Sequence, residues 1–290
     1  MTIRSAIFFL ISSVLMTLSL FFGGSLLWHR WHSHRIFNPE SKITALIQTG
    51  PEKEALPTSY LSELLDLSID RTDFLYAFDL KKGTNNLLSC PLISQAHLKR
   101  IPPGTLYIDY TVRKPVALIS DYQNIGIDRE GYLLPITPFL SPKNLPEIYL
   151  GLAPFGEENG GCWQTPLRTK HLQLAFELLQ ALSDASWRKG IRLKRIDVSH
   201  AFAASLGQRE IVLSTEEELV RQGTVYVFPK ILRLSPKNYT QQLCNFFSLR
   251  QKILEDYERQ IPANSSQQLV SFSPRIIDLR IPKMAFVQNG

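Results

Sequence analysis

The chain has little of what would mark an enzyme or a metalloprotein. Its three cysteines, Cys90, Cys162 and Cys244, form no Cys-x-x-Cys pair and no metal-ligand spacing. In an oxidising compartment they allow at most one internal disulfide, and three buried or half-buried thiols account for them as simply. No Gly-x-Ser-x-Gly, His-Glu-x-x-His or Gly-x-Gly-x-x-Gly occurs, so the usual signatures of serine hydrolases, zinc proteases and dinucleotide binders are missing. A strong charge of one sign is missing too. The net charge is +6 and the basic residues are scattered rather than striped, which argues against nucleic-acid binding.

The few polar clusters have plain explanations. Asp197, Ser199 and His200 crowd together, but a strand end with a polar turn explains them, and triad members come from separate segments. Glu157 and Glu158 lie in a Gly-containing loop with no Lys-Ser/Thr after it, so it is no phosphate loop. Ser214 to Glu217 reads as a capping box, which places Glu216, Glu217 and Glu218 in the first turn of a short helix ending at Gly223. His29, His32 and His34 have a spacing that would suit a metal, yet no second ligand cluster accompanies them. No catalytic residue, cofactor or metal ligand is therefore assigned.

What is present is a chain of ordinary composition, 44% hydrophobic and 20% charged over 290 residues, long enough for more than one domain. Ser5 to Trp28 is apolar, contains no charge and is followed by Trp31, which reads as an uncleaved single-pass anchor. Arg4 lies before it and Arg30, Arg35 and Lys42 after it, so flanking charge alone does not fix an orientation. Ile43 to Thr49 is a strand candidate stopped by Gly50-Pro51. A helix starts at Pro57-Thr58, and Asp79 caps a second that Pro91 ends. From Thr105 to Arg113, Leu106, Ile108, Tyr110 and Val112 alternate with polar residues. The arm before it sets Ala96 and Leu98 against Gln95, His97 and Lys99. Pro103-Gly104 joins the arms as a tight turn, with Gly supplying a positive φ.

Further on, Ile125 to Pro135 reads as strand, turn and strand, with Asp128 and Gly131 in the turn. Thr165-Pro166 starts a helix bearing Leu167, Leu174, Ala175, Leu178, Leu179 and Leu182 on one side. Ile191 to Val198 and Ile211 to Leu213 are strands, and Val225 and Val227 alternate in another before Pro229. Asn238 to Tyr257 is a long helix with Leu243, Phe246, Phe247, Leu254 and Tyr257 on its apolar face. Arg275 to Val287 reads as a terminal strand.

Four segments, in this order, resemble the FtsQ/DivIB family of bacterial cell-division proteins. They are the strand-helix-helix-strand-strand unit ending in Arg113-Lys114-Pro115-Val116-Ala117, the Asp128 to Gly131 hairpin, Leu145-Pro146-Glu147-Ile148, and Ile277-Asp278-Leu279-Arg280 followed by Ala285 to Val287. The resemblance implies an α+β protein: cytoplasmic tail 1–4, transmembrane anchor 5–28, juxtamembrane linker 29–42, POTRA-like domain 43–119, and C-terminal domain 120–290 with a mainly antiparallel sheet. It implies an inner-membrane protein of the division septum, N-terminus cytoplasmic and C-terminal domains periplasmic. It further implies a non-enzymatic scaffold that links divisome proteins and helps control septal peptidoglycan synthesis. FtsB- and FtsL-like proteins would bind by strand addition at Lys283, Met284, Ala285, Phe286 and Val287, and other divisome proteins at the POTRA-like domain. The alternative is a POTRA-bearing component of outer-membrane protein assembly or export.

Overall fold

Helix, strand and turn signals place most elements where the residues suggest, and the computed structural model describes residues 3–68, 70–141, 143–183, 190–221, 223–259, 261 and 269–289. The chain divides into two compact units, Met1–Val112 and Arg113–Gly290. Residues 113–119 thus fall in the second unit, where Ala117–Ile119 is a sheet strand, rather than closing the first.

The first unit begins with helix α1, Ile3–Ile36, whose side chains are described for residues 12–28. Among the described residues no helix is long and apolar enough to cross a membrane. At about 1.5 Å per residue the described side chains of α1 cover less than the roughly 30 Å of a hydrocarbon core. Ser12, Ser13, Thr17, Ser19, Gly23, Gly24 and Ser25 also dilute their apolar character. The anchor expected over residues 5–28, and the single-pass inner-membrane placement that depends on it, are corrected accordingly. The side chains of His29, His32 and His34 lie outside those described.

Strand β1 (Ala45–Thr49), helices α2 (Thr58–Leu64) and α3 (Leu80–Ser89), and strands β2 (Ile93–Ile101) and β3 (Thr105–Val112) follow. Asp79 caps α3, its carboxylate accepting from the N–H groups of Lys81 and Lys82. The sheet order is β1-β3-β2, with β1 parallel and β2 antiparallel to the central strand. Leu98, Leu106, Ile108, Tyr110 and Val112 all point inward. Ile93 and Ala96 are both buried although three residues apart, because the register slips between Ile93 and Gln95 and the bulge corrects the phase.

Gly104 is required for a reason other than the expected one. It is not in the left-handed region. Instead, its carbonyl accepts from Thr44 N at 2.9 Å, and a Cβ there would run into the Lys42 carbonyl oxygen. Gly104→Ala is expected to destabilise the first unit by about 1–3 kcal/mol, read by thermal or urea unfolding. No loss would show that the turn yields freely.

The second unit holds strands β4 (Ala117–Ile119), β5 (Ile125–Ile127), β6 (Leu133–Pro135) and β7 (Glu147–Tyr149), helix α4 (Lys170–Ser183), and strands β8 (Ile191–Asp197), β9 (Ile211–Arg221) and β10 (Thr224–Leu234). Helix α5 (Tyr239–Glu258) and strands β11 (Leu269–Ser271), β12 (Arg275–Asp278) and β13 (Phe286–Asn289) complete it. One sheet runs β13-β12-β10-β9-β8-β7-β4-β5-β6, with β11 also on β10. It is mixed rather than mainly antiparallel, since β10 pairs parallel with β11 and β12, and β7 pairs parallel with β4 and β8. Leu174 and Leu178 of α4 and Leu243, Phe246 and Tyr257 of α5 pack with Ile196, Leu213, Phe228 and Leu232 of the sheet in one core. Each such side chain stabilises the fold by about 1.5–3 kcal/mol.

Three expectations change here. Helix α4 starts at Lys170 rather than Thr165, because the Leu167 N–H is taken by the Gly131 carbonyl and the Thr169 hydroxyl accepts from Leu172 N. Residues 214–221 are strand, not a capped helix, and form a long hairpin with β10. β10 also continues through Pro229. The Pro229 carbonyl accepts from the Tyr257 hydroxyl at 2.9 Å, and the position falls between the segments of β10 paired with β11 and β12, so no ladder N–H is missed.

Candidate functional site

The C-terminal edge of the large sheet is the surface where chemistry and exposure meet. The segment expected as one terminal strand is a hairpin: β12 pairs antiparallel with β13, and Lys283 adopts φ 61° in the connection. Among the described residues β13 pairs only with β12, so it is the outermost strand, with one side of its backbone open to a further strand.

The five nominated residues do not share one face. Val287 lies opposite Ile277, a core residue, and so faces the α5 side of the sheet. Phe286 lies opposite Asp278 and faces the other way. It is 55% exposed and does not close the core. Lys283, Met284 and Ala285 sit in the connection, where they line an open cavity of about 850 Å³ against α5. Met284 is 58% exposed.

The wall that α5 contributes carries Asn238, Gln241, Asn245 and Ser248. Their spacing of three, four and three places them along one side of the helix. The sequence reading singled out only the apolar face of this helix, and it is the hairpin opposite that makes its polar flank one wall of a groove. Lys283 is the one charged residue among those lining it. Gln242 fixes the start of the helix: it is buried, and its side-chain Oε1 accepts from Ser235 N at 2.7 Å.

A charge network steadies the opposite face. Glu210 pairs with Arg233 at 2.6 Å and with Arg280 at 3.1 Å, and Asp278 pairs with Arg280 at 2.7 Å and with Arg233 at 3.7 Å. Burial raises the Asp278 carboxyl, but the hydrogen bonds from Arg280 and the charge of Arg233 outweigh it and hold it below the usual carboxylate range. Arg280 is thereby folded back along β12 onto Asp278, which stands opposite Phe286.

The chain matches no protein-family model and no curated protein sequence.

Elsewhere the polar clusters behave structurally. The Ser199 hydroxyl and N–H both donate to Asp197, as a strand-end turn requires, and His200 is exposed. Asp128 accepts from the N–H groups of Glu130 and Tyr132 and pairs with Arg113 at 2.7 Å, tightening the β5–β6 turn. Among the described residues no group of His, Cys, Asp and Glu is placed to hold a metal. Cys90 is buried, Cys162 half-buried and Cys244 exposed, all as free thiols.

Proposed function

We propose that the chain is a non-enzymatic docking scaffold of the bacterial cell-division machinery, which takes up an extended partner segment along β13 and beside α5. The observation that carries this reading is an outermost strand with exposed Phe286 and Val287, set next to a groove with a single charged lining residue on a well-packed core. An open edge supplies backbone register, and flanking apolar side chains supply burial. The identity of the partners rests on the resemblance to FtsQ/DivIB. That resemblance is supported by the β1-β3-β2 order of the first unit and by the hairpin into which Ile277-Asp278-Leu279-Arg280 and Ala285 to Val287 fold. FtsB- and FtsL-like proteins are the proposed occupants, and the scaffold would help control septal peptidoglycan synthesis by holding them together. The first unit would offer a second surface to other division proteins.

Mixing the full-length chain with the FtsB- and FtsL-like proteins of the same cell tests this reading. Calorimetry should show a stable complex whose affinity changes by less than about threefold across ordinary salt concentrations, because Lys283 is the groove's single charged lining residue. Absence of a complex with folded protein would overturn it.

A further inference from the structure

Beneath α5, on the inward face of the sheet, lies a buried row of polar side chains that the docking reading does not use. Thr215 of β9, Lys230 of β10 and Arg275 of β12 stand directly opposite one another across three neighbouring strands, each almost fully buried. Glu217, two residues along β9, lies 2.9 Å from Lys230 Nζ through its Oε1. The same oxygen accepts from Arg250 Nε of α5 at 2.9 Å. Arg275 turns toward α5 as well, over the Tyr257 ring at 4.0 Å and with a donor on the Ile253 carbonyl.

Two like charges set opposite each other on adjacent strands repel, and here both are out of water. Lys230 Nζ meets Glu217 as an ion pair, and the Thr215 hydroxyl opposite has no hydrogen-bond partner among the described residues. An ammonium brings three donors and no acceptor to this place. An amine removes one charge from beside Arg275.

We propose that the Lys230–Glu217–Arg250 cluster is a pH-responsive latch that grips α5 more firmly as Lys230 loses its proton. With Lys230 neutral, Glu217 serves Arg250 alone and α5 is tied to β9 without competition. Burial, and then Arg250 and Arg275, push the Lys230 amine below the ordinary lysine range against the pull of Glu217. The unfolded chain therefore binds more protons between the folded value and that of a free lysine, and stability rises with pH across that window. The facing groups are Thr215 and Glu217 from β9, Arg275 from β12, and Arg250 and Tyr257 from α5. Burial raises the Tyr257 phenol, which acts in the opposite sense from about pH 10 upward. The consequence for the groove beside α5 rests on the docking reading, but the latch itself is read without any partner.

Urea unfolding of the full-length chain at about pH 7 and about pH 9.5 should show the wild-type unfolding constant falling about tenfold or more, while that of Lys230→Met changes by less than about threefold. Equal pH dependence in the two overturns the proposal. Should Lys230→Met not fold, lysine Cε resonances of the wild-type chain decide: one should titrate well below the rest, and a single common titration overturns the proposal. Hydrogen-exchange protection of α5, corrected for intrinsic rates, should rise with that same titration. Protection that stays flat removes the latch even if the lysine titrates.

Discussion

Glu217→Ala is expected to cost the second unit about 3–5 kcal/mol at pH 7, whereas Lys230→Met, which removes the other half of the same pair, should cost less than about 1 kcal/mol or stabilise. The asymmetry follows from what each change leaves behind. Without Glu217, Lys230 and Arg275 remain buried side by side and Arg250 loses its carboxylate. Without Lys230, Glu217 keeps Arg250, and a methionine fills a site already lined by Phe228 and Leu232 on the same face of β10. A ceiling can be set on the lysine's share of that cost. The variant's lysine can always escape by deprotonating, at a cost of about 1.36 kcal/mol per unit between the solution pH and about 10.4. That route costs about 4.6 kcal/mol at pH 7 and about 1.2 kcal/mol at pH 9.5. The penalty of Glu217→Ala should therefore shrink as pH rises, in denaturant unfolding followed at both values. A cost below about 1 kcal/mol at pH 7 would mean that water reaches the cluster.

The same cluster explains why this part of the fold was hard to read from the residues. A strand announces itself by apolar residues at every second position, and on β9 those positions are Ile211, Leu213, Thr215, Glu217 and Leu219. Two of the five are polar, so the period breaks in the middle, and Ser214 followed by three glutamates imitates a capped helix start. The partner strand has the opposite difficulty. Val225, Val227 and Ile231 alternate cleanly, but they form the outer face, while Tyr226, Phe228, Leu232 and Leu234 form the inner one. With both faces apolar, Pro229 looked like an end, because what accommodates it is Tyr257 and the break between β11 and β12, far along the chain. The first unit was legible because its signals are local. Asp79 stands where the cap must be, and the β2–β3 hairpin has one wet face and one dry one. Of the candidate site, the chain segment was legible and the geometry was not. Nothing in Lys283 to Val287 alone shows that the segment turns back on β12, or that it faces a row of amides on α5.

That geometry sharpens the second large effect. Phe286→Lys is expected to weaken binding of the proposed partner by about 2–4 kcal/mol, or roughly 30- to 1000-fold, with unfolding of the chain changed by less than about 0.5 kcal/mol. The fold should tolerate the change because Phe286 is more than half exposed on the outermost strand. Binding should not, because a strand laid along β13 covers side chains on both faces of the sheet, and an ammonium trapped under it must be desolvated while the carboxylate opposite it, Asp278, is already engaged by Arg280. Met284→Lys, on the α5 side, places the same charge at the mouth of the groove and should produce a loss of similar size. The pair of variants discriminates between modes of docking. Strand addition uses the edge itself, so it predicts that both faces matter. A partner helix lying in the groove alone would feel Met284→Lys and ignore Phe286→Lys, since Phe286 points away from α5. Wild-type affinity in both variants would remove the C-terminal edge as the docking site. Lys283→Ala serves as the control: its charge is solvated at the rim, and its loss should change affinity by no more than about 1 kcal/mol.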